Sequence, residues 1–525
     1  MNLIFCTSPF QVLVAKEIIK SVGGDFHGIY LSTSDDIRHA HYSKELESVC
    51  SKFSRIDYDS AKLFLDTFEG TNIKAFYLAS LDNETALSLY FRLNVDLFTF
   101  DDGSTSVIPF NLYTEELGRI VYKSWTIQDV FDLSKAHFTV FEDCSLFSKD
   151  KQIKLSLDLE PIDFERVKNG KSVNVFLGQF LGSMVNSEDY KLTELLTNKA
   201  LRSLGDCQYY SHPRVKIKSN FSETRTVYCF EEEIYNLLRQ YEFVNVYGFY
   251  STSLLLVKDI PGVQVTSFNT LLNCYESNLL KDLGVNQINL SVSDTFVDIV
   301  LPVYNGEKTI KDAIESVLNQ TYSNFNLIIV DDCSTDDTSE ICKSYFFDDR
   351  VHYIRLSERK GISHVLNKGI SSSNAHFIAR QDADDIWLPW HLDLLIYKLE
   401  QAKNLELIGS KVEVDCNNLP MKLDRGGFGT LCGEDLWLAL AYKNVFNHST
   451  VVFKRSAYLE AGGYDSACDG FEDWHLWSRI VTKDNSCIID TVTAFYRLSE
   501  SYENRMRFRT RLAKSRGLTL DEVMI

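Results

Sequence analysis

The chain has 525 residues, of which 45% are hydrophobic and 24% are charged, a composition typical of globular proteins. Its formal net charge is −19, from 54 basic and 73 acidic residues, which argues against nucleic acid as a partner. The sequence contains no run of about 18 apolar residues, which is the length that predicts a membrane-spanning helix. The twelve cysteines form no CxxC pair, and no cationic region typical of a signal peptide precedes the first apolar run. We therefore expect reduced thiols and a cytoplasmic location.

The first half of the chain alternates predicted strands and helices. Strand-like runs separated by helical spacing recur at 2–6, 28–31, 75–79 and 96–100. This alternation predicts an α/β domain with a parallel, doubly wound sheet. A polar break near residue 168 and a new apolar run at 173–177 predict a second α/β half. The predicted module covers residues 1–282, with halves of about 1–168 and 169–282.

Three short polar motifs in this half each follow a predicted strand. They are DDG at 101–103, HP at 212–213 and STS at 251–253. Ligands of open parallel sheets bind beyond the carboxyl ends of the strands. A carboxylate there can act as a general base, a histidine can donate to a phosphate, and hydroxyls at a helix N-terminus favour an anion. Taken singly, the DDG and HP motifs are more typical of an ordinary turn and a structural histidine, and STS also fits a plain helix cap.

The ordered set DDG, HP and STS, with the opening sequence MNLIFCTSPFQVLVAKEII, resembles the bacterial lipooligosaccharide sialyltransferases, glycosyltransferase family 52. The resemblance implies a GT-B fold of two Rossmann-like halves, CMP-sialic acid as donor and no metal. It implies that Asp102 takes the proton of the acceptor, with Asp189 as a second candidate base. It also implies that His212 protonates or hydrogen-bonds the leaving phosphate. The other donor-binding residues that it implies are Asp101, Gly103, Pro213, Ser251, Thr252 and Ser253.

Two alternatives for the first half stay open. The family also contains glucosyltransferases, so this half could transfer a hexose. It could also be a catalytically inactive module that binds the acceptor for the second half.

The second half begins after a polar, aperiodic stretch at 283–295, which predicts a linker. From 296 to 525 we predict another α/β module, because strands and helices alternate and acids follow two of the strands. Asp332 follows the apolar run 326–330, and Asp382 and Asp384 follow the run 377–379. Clustered carboxylates at a strand end favour a divalent cation, since hard cations take oxygen ligands. A polar turn that caps the next helix is the alternative.

The segment PVYNGEKTIKDAIESVLNQTYSNFNLIIVDDCSTDDT, together with IARQDADD, resembles the inverting family 2 glycosyltransferases. The resemblance implies a GT-A fold, a UDP-sugar donor and Mn²⁺ or Mg²⁺. It implies that Pro302, Tyr304 and Asp332 line the nucleotide, and that Asp382 and Asp384 bind the metal and the donor. Where the family more often has Gly or Ser, this chain has Cys333, for which we expect little consequence.

A second acidic pair, Glu472 and Asp473, stands in the sequence GFEDW. By the same resemblance, Asp473 is the catalytic base, and Glu472 supports it or contacts the acceptor. An inverting transfer needs one carboxylate opposite the leaving diphosphate. The alternative is a pair of acids that complements a helix dipole.

The two resemblances together predict a bifunctional glycosyltransferase that builds a bacterial surface glycan, either lipooligosaccharide or capsule. The acceptor would be an oligosaccharide or a lipid-linked glycan at the inner face of the cytoplasmic membrane. A basic segment at 505–516 predicts peripheral contact with anionic lipid, and a solvated or docking C-terminal helix is the alternative. Its basic residues are Arg505, Arg507, Arg509, Arg511, Lys514 and Arg516.

Overall fold

The computed structural model forms two compact units, one of residues 1–268 and 276–288 and one of residues 269–275 and from 289 onward. Both units have an α/β fold with parallel strands at the centre of their sheets, as the sequence predicts. Within the described ranges, no helix is both long enough and apolar enough to cross a bilayer. The described residues are 1–32, 36–57, 68, 72–102, 120–142, 147–161, 163–179, 181, 187–212, 217–414 and 431–497.

The first sheet of the first unit is parallel, and its strands follow the order β3-β2-β1-β4-β5-β8-β9 in the described part of the chain. The chain order reverses beside β1, which makes a topological switch point there. The strands are β1 Asn2–Cys6, β2 Phe26–Leu31, β3 Lys52–Ile56, β4 Ala75–Leu78, β5 Asp96–Phe100, β8 Ser134–Thr139 and β9 Gln152–Lys154, and β6 Ile120–Tyr122 pairs with β7 Trp125–Thr126 outside this sheet. The helices are α1 Pro9–Val22, α2 Ile37–Val49, α3 Glu84–Leu93 and α4 Ile127–Leu133.

The second sheet of this unit has the order β11-β10-β12-β13-β14, again with a switch point beside its first strand. Its strands are β10 Ser172–Leu177, β11 Gln208–Tyr210, β12 Phe243–Gly248, β13 Val263–Asn269 and β14 Asn286–Asn289. The helices are α5 Ser187–Leu204, α6 Phe230–Leu238, α7 Thr252–Val257 and α8 Cys274–Asp282. Val175, Val246 and Leu254 are among the aliphatic side chains that pack into the core of this sheet.

The predicted linker at 283–295 is not a plain connector, because it contains β14, which pairs with β13 at the edge of the sheet. The sequence NQIN conceals this strand, since asparagine is depleted in strands. Its residues alternate between exposed and half-buried positions, which suits an edge strand with one face toward solvent.

The second unit contains a mixed sheet with the order β17-β16-β15-β18-β22-β20-β23-β19 among its described residues, and β21 pairs with β23. The central strand, β15, is buried along its whole length. The strands are β15 Val297–Val303, β16 Phe325–Asp331, β17 Val351–Arg355, β18 Phe377–Arg380, β19 Ile386–Trp387, β20 Leu407–Glu413, β21 Leu431–Cys432, β22 Val452–Lys454 and β23 Ser486–Phe495. The helices are α9 Ile310–Leu318, α10 Thr338–Lys343, α11 Ile362–Ser371, α12 His391–Gln401, α13 Gly433–Tyr442, α14 Arg455–Glu460 and α15 Glu472–Ile480.

Candidate active sites

A cleft in the first unit lies at the carboxyl ends of strands from both of its sheets. The loops that follow β1 and β10, the strands at the two switch points, both line it. Such points are where open α/β sheets bind their ligands. The cleft gathers the predicted residues Asp102, His212, Ser251, Thr252 and Ser253, which come from three distant parts of the sequence.

Two neutral donors hold the carboxylate of Asp102 from both sides. Ser80 Oγ donates to Asp102 Oδ2 at 3.0 Å, and Gln11 Nε2 donates to Asp102 Oδ1. Gln11 is fully buried at the start of α1, where Ser8 caps the helix. Asp102 itself is half-buried at the cleft. It is thus an oriented carboxylate that can still meet a substrate hydroxyl.

Asp101 does not reach the cleft. Its carboxylate is fully buried and accepts hydrogen bonds from His137 Nε2 at 3.0 Å and from the backbone N–H of Val140 at 2.7 Å. These bonds tie the end of β5 to β8. We therefore correct the predicted donor contact of Asp101 to a structural role, because buried carboxylates need such partners.

His212 follows β11 and is half-buried at the cleft. The turn that carries it is held by Arg38, whose Nη2 donates to the carbonyl oxygen of Ser211 at 3.0 Å. Arg38 also pairs with Asp36 through two hydrogen bonds of 2.8 Å. Sequence reasoning missed Arg38, since nothing local distinguishes it from a surface arginine of α2.

The STS motif begins α7. Ser251 Oγ accepts from the backbone N–H of Ser253 at 3.3 Å, as an N-cap does. Ser253 Oγ donates at 2.6 Å to Glu231, a carboxylate that is 4% exposed and lines the cleft from the start of α6. The sequence does show acids at 231–233, but these are equally typical of residues that complement the helix dipole.

The other predicted residues of this site either are not among the described residues that line the cleft or lie outside the described residues. Asp189 is buried near the start of α5 and is not among the described residues that line the cleft. Gly103 and Pro213 lie outside the described residues, as does the basic segment 505–516.

In the second unit, the loops after β15 and β16 bind each other. The backbone N–H of Asn305 donates to Ser334 Oγ at 2.9 Å, and Asn305 Oδ1 accepts from the N–H of Thr335 at 2.8 Å. Pro302 is buried inside β15. Tyr304 is 39% exposed, and the guanidinium of Arg359 lies 4.0 Å from its ring centroid. Tyr304 therefore presents an aromatic surface beside a cation, which suits a nucleotide.

Asp332 organises the turn before α11. Its two carboxylate oxygens accept from the backbone N–H groups of Lys360, at 2.7 Å, and Gly361, at 3.0 Å. Gly361 has a φ of +89°, and a Cβ atom there would clash with Asp469. The positive φ therefore favours glycine at this turn. Asp332 is 5% exposed and makes these two structural hydrogen bonds, and its contact with the nucleotide stays a prediction.

Cys333 adopts a φ of 63°, in the left-handed region. A non-glycine residue there costs about 1–2 kcal/mol. This conformation explains why a glycine would be more usual at the position.

Three carboxylates meet after β18. Asp382, Asp384 and Asp385 each offer an oxygen, and these oxygens all lie within 4.8 Å of one another. Burial, together with the charges of the other two acids, raises the pKa of Asp385 to about 8. Its Oδ2 is buried without a hydrogen-bond partner among the described residues. An all-oxygen cluster with an orphan buried oxygen fits a hard divalent cation such as Mn²⁺ or Mg²⁺.

Ser449 fixes the loop that carries these acids. Its Oγ accepts from the backbone N–H of Asp382 at 3.1 Å and donates to Gln381 Oε1 at 3.2 Å. The indole N–H of Trp387 donates to the carbonyl oxygen of Ser449 at 2.7 Å. The loop is thereby held by residues about seventy positions apart in the sequence.

The second acidic pair begins α15. Asp473 Oδ2 accepts from Asn444 Nδ2 at 2.7 Å, and burial raises the pKa of Asp473. Glu472 accepts from the N–H of Gly470 at 2.7 Å. Burial, and then the charge of Asp473, raises the pKa of Glu472 to about 7. A carboxylate whose pKa is raised in this way suits the role of a proton acceptor.

Arg380 joins the two acidic groups. It is 2% exposed, and its Nη2 lies 2.7 Å from Asp382 Oδ1. Its positive charge also acts on Glu472 and Asp473, where it opposes the rise of their pKa values. Sequence reasoning missed Arg380, although a lone arginine in the apolar strand FIAR was a signal.

Family models match both halves of the chain. Residues 24–272 match the profile described as glycosyltransferase family 52, and residues 298–460 match glycosyl transferase family 2. The second unit belongs to glycosyltransferase family 2, and the first unit is similar to glycosyltransferase family 52. The resemblances stated from the motifs are thus confirmed.

Individual relatives divide in the same way. The CMP-N-acetylneuraminate:beta-galactoside alpha-2,3-sialyltransferase of Pasteurella multocida is 25% identical over 321 residues, 55% of this chain and 99% of its own. The O-antigen biosynthesis glycosyltransferase WbnJ of Escherichia coli is 31% identical over 205 residues, 36% of this chain and 72% of its own. The putative glycosyltransferase EpsE of Bacillus subtilis is 31% identical over 194 residues. That match covers 35% of this chain and 66% of EpsE, just under two thirds.

Proposed function

We propose that the chain carries two transferase activities, one in each unit, and that both extend a bacterial surface glycan. The first unit would transfer sialic acid from CMP-sialic acid without a metal. The second would transfer a hexose or N-acetylhexosamine from a UDP-sugar with inversion. We further propose that the two units adopt the GT-B and GT-A folds of their families.

The observation that carries the first assignment is the cleft that gathers Asp102, His212 and the STS hydroxyls at two switch points. One oriented carboxylate and one phosphate-side donor are the parts that this transfer needs. The match to nearly the whole Pasteurella sialyltransferase supports CMP-sialic acid as the donor.

In the proposed step, the bond between the anomeric carbon and the phosphate oxygen breaks as CMP leaves. The acceptor hydroxyl forms the new bond to that carbon, and its proton passes to a carboxylate oxygen of Asp102. His212 donates a proton or a hydrogen bond to the departing phosphate, beside the hydroxyls of residues 251–253. Asp189 stays the second candidate base. The carboxylate of Glu231 suits the hydroxyls of the donor ribose, since it is an acceptor next to the predicted phosphate site.

The second assignment rests on the three carboxylates after β18. Asp382 and Asp384 would hold Mn²⁺ or Mg²⁺, with Asp385 beside them, and the ion would neutralise the charge of the leaving diphosphate. Tyr304, Pro302 and Asp332 would line the nucleotide.

Proton transfer in the second unit is assigned to α15. Asp473 would accept the proton of the acceptor hydroxyl as the new glycosidic bond forms with inversion at the anomeric carbon. Asn444 orients Asp473 by the bond to its Oδ2, which leaves the other lone pairs of that oxygen for the hydroxyl. Glu472, directly beside it, would contact or orient the acceptor.

The acceptor would be an oligosaccharide or a lipid-linked glycan of lipooligosaccharide or capsule, met at the inner face of the cytoplasmic membrane. Two fused transferases make sense where one extends the product of the other.

A donor screen tests the proposal. The purified full chain is offered CMP-sialic acid and a panel of UDP-sugars, and release of CMP and UDP is followed. We expect release from CMP-sialic acid and from at least one UDP-sugar. The variants His212→Ala and Asp384→Asn should each remove one release and spare the other. If CMP-sialic acid is untouched while a UDP-sugar is consumed, the sialyltransferase assignment is wrong and only the second one stands.

A further inference from the structure

Arg380 is a buried arginine in the mixed sheet of the second unit. It ends β18, and its side chain is 2% exposed. Its Nη2 pairs with Asp382, whereas its Nε and Nη1 have no hydrogen-bond partner among the described residues. A buried guanidinium with unpaired N–H groups is costly, because desolvation of a charge is only offset by close partners. We therefore expect the charge of Arg380, or the geometry of its guanidinium, to have a role.

The residues around Arg380 indicate what that role is. Asp382 lies beside Arg380, as part of the acid cluster where the oxygens are within 4.8 Å of one another. The charge of Arg380 also acts on Glu472 and Asp473 at the start of α15. His448, whose Nδ1 lies 3.9 Å from Glu472, is also within reach of this charge, and its pKa is lowered by burial and by Arg380.

We propose that Arg380 is a positioning residue of the second site. It fixes the carboxylate of Asp382 for the metal through the Nη2 contact to Oδ1, and its charge offsets the acids of both groups. Arginine suits this task because its guanidinium is planar and always ionised. Outer partners that orient a ligating side chain typically change metal affinity 10–100-fold when they are lost.

The proposal rests on the proposed metal-dependent function, and lysine separates its two parts. Arg380→Lys keeps one positive charge but loses the rigid planar fork, so the charge beside the acid cluster stays the same while the orientation of Asp382 is lost. A matched control is Arg350→Lys. Arg350 makes a two-bond pair with Asp348, at 3.0 and 2.8 Å, after α10.

The test is Mn²⁺ binding to the full chain without donor, measured by electron paramagnetic resonance. We expect the parent and Arg350→Lys to bind alike, and Arg380→Lys to bind about 10-fold more weakly. Parental affinity in Arg380→Lys would overturn the inference and leave the proposed function intact. Absence of Mn²⁺ binding in the parent would overturn the proposed metal site and the inference with it.

A second measurement tests the pairing of Arg380 with Asp382 if Arg380→Lys does not fold. Thermal melts are compared for Arg380→Met, Asp382→Asn and the double variant. If Arg380 and Asp382 are partners, Arg380→Met lowers the melting temperature because it leaves the Asp382 carboxylate buried without its partner. The double variant removes that carboxylate charge as well, so it should recover part of the lost melting temperature. A double variant that melts no higher than Arg380→Met would contradict the pairing.

Discussion

The two candidate sites, each proposed to act on a leaving phosphate, differ in the charged groups that they present. The cleft of the first unit offers hydroxyls, a histidine and Arg38, with Asp102 held by neutral donors. The second site concentrates three carboxylates at one strand end and two more at the start of α15. The first arrangement can stabilise an anion by itself, whereas the second needs a cation to do so.

The comparison also explains the different roles of arginine. Arg38 pairs with Asp36 and holds the turn that carries His212, so much of its charge is already balanced. Arg380 stands among more acids than it can neutralise. The second site therefore combines three clustered carboxylates and a second acidic pair with one buried arginine, whereas the acids that line the first cleft, Asp102 and Glu231, accept from neutral hydroxyl donors.

The largest expected effect is the loss of a metal ligand. Asp384→Asn should lower UDP release about 1,000-fold, as expected when several kcal/mol of charge stabilisation are removed. Release of CMP should be unchanged in the same preparation. Asp435→Asn, a substitution at an acid on the first turn of α13, serves as the control. Comparable loss of both activities would show that the two sites do not work independently.

The reciprocal change is His212→Ala. It should lower CMP release about 100-fold or more, the usual contribution of a positioned acid or base, without altering UDP release. His27→Ala is a matched control, because His27 lies in β2, where it bonds Ser54, and does not line the cleft. If His212→Ala keeps parental CMP release, the phosphate-side role is wrong.

The acidic pair of the second site predicts a pH dependence. A carboxyl group with a pKa of about 7 at Glu472 is protonated below neutral pH, so UDP release should fall as pH drops below 7. Glu472→Gln removes this titrating carboxyl group and a negative charge next to Asp473, so any fall in activity that remains should occur at lower pH. The measurement is kcat/KM for UDP release as a function of pH. If activity falls at the same pH in the variant as in the parent, the two acids are not coupled.

The smallest effect is expected at Cys333. Cys333→Gly relieves the left-handed strain but adds freedom to the unfolded chain, for a net gain of roughly 0.5–1 kcal/mol in stability. Cys333→Ala keeps the Cβ atom and should show no gain. Thermal melts of the two variants decide the point, and equal melting temperatures would mean that φ at this position carries no strain.

Sequence patterns predicted the features that recur at strand ends. The acids after β5, β16 and β18, the histidine after β11 and the hydroxyls after β12 could all be read from apolar runs followed by polar residues. Parallel topology places those ends at one edge of a sheet, which is why the prediction works.

Contacts between distant residues could not be read in this way. The sequence does not show that His137 and Val140 occupy Asp101 while Gln11 and Ser80 orient its neighbour Asp102. Each bond joins residues 22 or more positions apart. Glu231 and Arg380 were missed for the same reason, since burial beside a given partner depends on packing rather than on local pattern.

Chelation tests the contrast between the two sites most directly. CMP release from CMP-sialic acid and UDP release from the active UDP-sugar are measured on one preparation, with and without EDTA, and then with Mn²⁺ restored. The account predicts that EDTA abolishes UDP release, that Mn²⁺ restores it, and that CMP release is unchanged throughout. UDP release that survives EDTA, or CMP release that is lost with it, would contradict the division into one metal-dependent and one metal-independent site.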